Sequence, residues 1–141
     1  MRPDIDLEAT VRVLIPFQDG DPMGVTWHGN YFRYMESARS ALLDKIGYNY
    51  ADMTESGYLW PIVDTRVKFI KPSRFGQELD VSATLAEYRN RLKLEYVARD
   101  SISGETIMKG YTIQVAVSVG SEELCFESPR VLIEKVQACA R

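Results

Sequence analysis

At 141 residues, with 45% apolar and 26% charged side chains, the chain has the size and composition of one folded domain with a continuous core. A formal charge of −3 argues against nucleic-acid binding, which needs a basic surface to neutralise phosphates. No apolar run approaches the roughly 20 residues of a membrane-spanning helix, and the opening MRPDIDLEATVRV carries acids where a secretory signal would be apolar. The two cysteines, Cys125 and Cys139, and the single histidine offer no metal-ligand spacing, so neither metal nor cofactor is expected. Reduced thiols fit a cytoplasmic location.

Without repeats, low-complexity tracts or linkers, residues 1–141 are expected to form a single domain. The first strand is predicted over 9–17, where Val11, Val13, Ile15 and Phe17 alternate with Thr10, Arg12, Leu14 and Pro16. The stretch DGDPMG then breaks the pattern with three kinds of turn-forming residue. From His28 to Ile46 the spacing becomes helical: Tyr31, Tyr34, Met35, Ala38, Ala41, Leu42 and Ile46 form one stripe, with Arg33, Ser37, Arg39 and Asp44 on other faces. Gly47 suits the residue after the helix end, and Thr26 or Asn30 its N-cap.

Beyond a short irregular stretch the chain reads as strands. Val63, Thr65, Val67 and Phe69 share one face, as do Leu79, Val81, Ala83 and Leu85. Leu92, Leu94, Tyr96 and Ala98 are expected to point inward, followed by Tyr111, Ile113, Val115, Val117 and Val119 on a last long strand. Residues 129–138 are expected to form a short helix or a final strand. One long helix between a first strand and an antiparallel meander defines an α+β domain, the helix lying on one sheet face. Leu14, Ile70, Met108 and Ala116 then fall on the opposite face, and a second copy is expected to cover that face or an edge strand.

The chemistry concentrates in DGDPMGVTWHGNY, residues 19–31. A helix opening near His28 has free backbone N–H groups at the positive end of its dipole, and Gly29 lets a ligand approach them. Asp21, just before the turn, can fold back toward the same point. A carboxylate beside an oxyanion hole suits acyl transfer, although a D-x-D-P segment is also an ordinary turn.

The run F-x-D-x-D-P-M-G-V-T-W-H-G-N-Y-x-x-Y-M-E, from Phe17 to Glu36, resembles the signature of the hotdog-fold acyl-CoA thioesterases, closest to the 4-hydroxybenzoyl-CoA thioesterase and YbgC-type branch. The later PSRFGQELDV is similar to that family's segment leading into its third strand. The resemblance implies a hotdog fold, with Asp21 as the catalytic carboxylate, nucleophile or general base, and Asp19 as turn former. It implies that the His28 N–H, with that of Gly29, polarises the thioester carbonyl, while the His28 side chain orients water or substrate. YbgC-type members carry tyrosine where Phe17 stands; the aromatic-acyl type has phenylalanine there but lacks the histidine. The resemblance further implies a homodimer or homotetramer with sites at the subunit interface, and CoA-phosphate contacts near Arg89 and Arg91.

Other residues carry less. Glu36 lies eight residues past His28, about 12 Å along a helix axis, and suits a hydrogen bond or ion pair. Asp64 suits solvent more than the lining of an acyl pocket, and Met23, Trp27 and Trp60 suit either packing or an acyl pocket. Ser37 and Ser40 lack a histidine and acid arranged as in serine hydrolases, and Cys125 has no activating neighbour. The expectation is a hydrolase of small or medium acyl thioesters, including aromatic ones, carried on CoA or an acyl carrier protein. A hotdog hydroxyacyl-thioester dehydratase and a non-catalytic acyl-CoA binding domain are the alternatives.

Overall fold

The computed structural model describes residues 4–139. Five strands form one antiparallel sheet in the order β1-β4-β5-β6-β3: β1 Glu8–Leu14, β3 Ile62–Phe69, β4 Glu78–Glu87, β5 Leu92–Asp100 and β6 Thr106–Gln114. A two-stranded ribbon pairs β2 (Tyr58–Leu59) with β7 (Val117–Ser118). Three helices complete the fold: α1 Asn30–Ile46, α2 Tyr50–Glu55 and α3 Arg130–Cys139.

The 17 residues of α1 bury Tyr31, Tyr34, Met35, Ala38, Leu42 and Ile46, the expected stripe, with Leu43 added and Ala41 only half-buried. These side chains pack chiefly on β1 and β4, against Leu79, Val81, Ala83 and Leu85. Gly47 ends the helix in the left-handed region, φ 80°, and its N–H returns to Leu43 and Asp44 carbonyls. α3 is the helical one of its two expected forms; it buries Leu132 and Val136, and Lys135 donates to the Gly47 carbonyl at 2.9 Å.

Several expectations need correction. Arg39 is not on an open helix face. It is buried, ion-paired with Glu36 and donating to the Tyr50 hydroxyl at 2.7 Å, because α2 folds over it. That helix was not expected, although Asn49 and Asp52 form a capping box at its start. The first strand stops at Leu14, where the Ile15 N–H leaves for the Gln77 carbonyl.

The last long strand divides in two. β6 ends at Gln114, and Val117 moves to pair with Leu59 in the ribbon. The phase of β6 is also one residue off, since Met108, Gly110, Thr112 and Gln114 stand opposite Ala98, Tyr96, Leu94 and Leu92. Tyr111 and Ile113 thus lie on the reverse face. Met108 and Ala116 are buried and contribute nothing to an exposed apolar face. Leu14 and Ile70 are exposed as expected, and exposed apolar surface also gathers along the edge strand β3, at Ile62, Val63 and Phe69, whose ring nonetheless meets Tyr31 of α1.

Candidate active site

The loop between β1 and α1 closes at its base before it reaches the helix. Asp19 is 3% exposed, and its carboxylate accepts from the Tyr34 hydroxyl at 2.5 Å and from Arg33. Its carbonyl accepts from the Trp27 N–H at 2.8 Å and the Asn30 side-chain amide at 2.9 Å. Burial above all, then the Asp19 carboxylate, holds the Tyr34 hydroxyl well above the ordinary tyrosine range, so it stays a donor. On the far side Thr26 Oγ1 meets Ser73 Oγ at 2.8 Å, and Ser73 Oγ meets the Tyr31 hydroxyl at 2.6 Å.

This wiring reverses the expected turn chemistry of the two acids. Asp19 is not the turn former. Asp21 Oδ1 accepts from the Met23 N–H at 2.9 Å and the Val25 N–H at 3.3 Å, which folds the tip of the loop. Oδ2 of Asp21 has no hydrogen-bond partner among the described residues.

α1 opens at Asn30, two residues later than expected, and its N-cap is Gly29 rather than Thr26 or Asn30. Both polar candidates are engaged elsewhere, Thr26 with Ser73 and Asn30 with Asp19. Glycine is required at 29 for space. An added Cβ would lie 2.3 Å from the Trp27 ring, which covers this turn. Among the described residues, neither the His28 nor the Gly29 backbone N–H has an acceptor. Two adjacent free donors at a helix start can hold a developing negative charge.

Asp21 and His28 line one cleft of about 250 Å³, with Met23, Thr26 and Tyr31 on one side and Phe69 to Pro72 on the other. The His28 imidazole is held between aromatic rings, 5.2 Å from Trp27 and 5.9 Å from Phe69 between centroids. Gly29 does not line the cleft itself. Sequence reading missed Ser73, Tyr31 and Asp19 as the positioning network, because the helical spacing of Tyr31 and Tyr34 reads equally as core.

The remaining candidates lie apart from the cleft. Glu36 pairs with Arg39 and accepts from the Tyr50 hydroxyl at 2.5 Å. Asp64 is exposed and accepts from the Tyr111 hydroxyl, and Trp60 is buried, donating to the Tyr48 hydroxyl. Arg89 pairs with Asp4 and Arg91 with Glu87, on the β4–β5 hairpin. That hairpin lies beyond Leu92 and Gln114, whereas the cleft lies at the Phe69–Met108 end of the sheet. The two ends are about 20 Å apart at about 3.3 Å per residue. Among the described residues, no cluster of three or more His, Cys, Asp or Glu is placed to hold a metal. No helix among them is long and apolar enough to cross a membrane.

One long helix laid on an antiparallel sheet, with a loop carboxylate and free amides at the helix start, defines a hotdog domain of the thioesterase kind. Residues 23–101 match the model of the thioesterase superfamily, 4HBT, and the chain belongs to that family. YneP of Bacillus subtilis is 34% identical over 85 residues, covering 60% of this chain and 61% of that protein, so the match spans about three-fifths of this relative. The 4-hydroxybenzoyl-CoA thioesterase of Pseudomonas sp. strain CBS-3 is 28% identical over 136 residues, covering 89% of this chain and 94% of that one. Among solved structures, the DHNA-CoA thioesterase of Staphylococcus aureus has a TM-score of 0.79 at 26% identity, covering 93% and 91% of the two chains.

Proposed function

We propose that the protein hydrolyses an acyl-CoA thioester to the free acid and CoA, with Asp21 as the reacting carboxylate and the His28 and Gly29 N–H groups as the oxyanion hole. The observation that carries this reading is the cleft itself: Asp21 and His28 line it together, and the backbone N–H groups of His28 and Gly29 have no acceptor among the described residues. As the carbonyl carbon becomes tetrahedral, charge builds on its oxygen, and each donor there is worth about 2.7–4 kcal/mol. Oδ2 of Asp21 attacks the carbonyl and expels the CoA thiolate, leaving an anhydride that water opens; alternatively it takes a proton from water that attacks directly. Both routes use the same free oxygen and neither uses a cofactor. Family membership and the relatives above, which act on 4-hydroxybenzoyl-CoA and DHNA-CoA by name, favour a small or medium acyl group, aromatic ones included.

The exposed edge of β3 supports a homodimer, or a dimer of dimers, in which a second copy completes the cleft wall around Phe69 and Ile70. A cytoplasmic location agrees with two free thiols, Cys125 and Cys139. The test is hydrolysis of a panel of aliphatic and aromatic acyl-CoAs by wild type and Asp21→Asn. Turnover by wild type that collapses in the variant is expected; no turnover of any ester, or full turnover by the variant, refutes the assignment.

A further inference from the structure

The reverse face of the sheet carries a groove of about 390 Å³ that the hydrolytic chemistry does not use. Its walls are Arg66, Lys68 and Lys109, with Glu95 as the one carboxylate, and its floor is Val97 and the Tyr111 ring. Lys93 Nζ lies 4.8 Å from the centre of that ring and adds a fourth cation at the margin. Among the described residues none of Arg66, Lys68 and Lys109 has a salt bridge or a side-chain hydrogen bond, in contrast to Arg89 and Arg91. A chain of net charge −3 thus concentrates unpaired positive charge in one place.

The register makes that concentration costly. Lys68 stands directly opposite Lys109, and like charges so placed destabilise a strand pair. Lysines on an edge strand do guard against pairing with other chains, which accounts for Lys68. It does not account for Lys109, because β6 is an interior strand. Nor does guarding fit a strand that leaves Ile62, Val63 and Phe69 exposed. An anionic ligand removes the repulsion and supplies the missing partners.

The groove is also close to the cleft. Lys68 precedes Phe69, and Phe69 and Lys71 line the cleft on the other side of the same strand end. Three residues of strand amount to about 10 Å. We propose that the groove seats the pyrophosphate and 3′-phosphate of coenzyme A while the acyl thioester lies in the cleft, the pantetheine arm passing over the end of β3. Arg66 supplies the forked donor and the two lysines act as point charges. The assignment rests on the thioesterase reading and makes CoA, rather than a carrier protein, the carrier.

The experiment compares two thioesters of one acyl group, on CoA and on N-acetylcysteamine, which lacks the phosphates. Removing both lysines, Lys68→Ser with Lys109→Ser, is expected to raise KM for the CoA ester about tenfold, with kcat unchanged. Kinetics on the N-acetylcysteamine ester stay as in wild type, and Tm is unchanged or higher because the like-charge pair is gone. Arg66→Gln behaves likewise. An unchanged KM for the CoA ester, or equal changes on both esters, overturns the proposal. So does a CoA-specific effect that appears in Arg89→Gln and Arg91→Gln but not in the groove variants. Titration with adenosine 3′,5′-bisphosphate keeps the groove testable if wild type hydrolyses neither ester. Binding that the double variant loses then supports the phosphate site while the hydrolytic reading fails; no binding by wild type overturns the site itself.

Discussion

Replacing Asp19 by alanine strands the Tyr34 hydroxyl in the core. That hydroxyl donates to Asp19 at 2.5 Å, and both residues are 3% exposed. A hydrogen bond to a charged group contributes about 1.5–3 kcal/mol. The Arg33 partner adds little, because its side chain is 54% exposed and an ion pair to so open a group contributes about 0–1 kcal/mol. Asp19→Ala is therefore expected to cost about 2–4 kcal/mol. Asp21→Asn keeps an oxygen for the Met23 and Val25 amides and is expected to cost less than about 1 kcal/mol. Urea unfolding followed by circular dichroism measures both, and thioester hydrolysis is assayed under folding conditions. The expected pattern is a large drop in midpoint with Asp19→Ala, and a near-native midpoint with lost turnover in Asp21→Asn. Equal stability losses in the two variants, or a wild-type midpoint for Asp19→Ala, would refute the division of labour.

Three other outcomes are expected. Gly29→Ala pushes the Trp27 ring off the helix start, since the added Cβ would lie 2.3 Å from it; kcat should fall at least tenfold with only a small change in Tm. Ser73→Ala leaves the Thr26 and Tyr31 hydroxyls without their shared partner, at about 1–3 kcal/mol, so differential scanning calorimetry should show a Tm lower by several degrees. Asp100 is lowered to about 2 by the Ser103 N–H first, then by the Gln77 amide and the Ile102 N–H. A depressed carboxylate stabilises the fold above its unfolded value of 3.8 and loses that contribution as pH falls toward 2. Asp100→Asn should flatten the fall of the urea midpoint over that window, and an unaltered slope would count against this role.

The regular parts of the fold are legible because their polar and apolar residues alternate honestly. In β4 and β5 the inward side chains are Leu, Val, Ala and Tyr, so period two reads correctly. β6 misleads because its core face carries Gly110, Thr112 and Gln114. Thr112 pairs with the Tyr96 hydroxyl, and the Gln114 side-chain amide donates to the Trp60 carbonyl, partners invisible in a local window. Burial pushes that Tyr96 hydroxyl up to about 12, so it remains a neutral hydrogen-bonding partner. Arg39 misleads for the same reason, its cover coming from Tyr50 eleven residues on. The site segment was legible as a whole, from acid to helix start. The separate roles of Asp19 and Asp21 were not, because Arg33 and Tyr34 decide them from the first turn of the helix.

The loop before α1 is fastened at two points, by Asp19 on one side and by the Thr26–Ser73 contact on the other. Its tip at Pro22, Met23 and Gly24 bears none of that fastening, and Met23 reaches the cleft from it. The tip therefore behaves as an exchangeable cartridge. Its side chains can be varied to change which acyl groups enter, while its length is fixed by the Met23 and Val25 amides that hold Asp21.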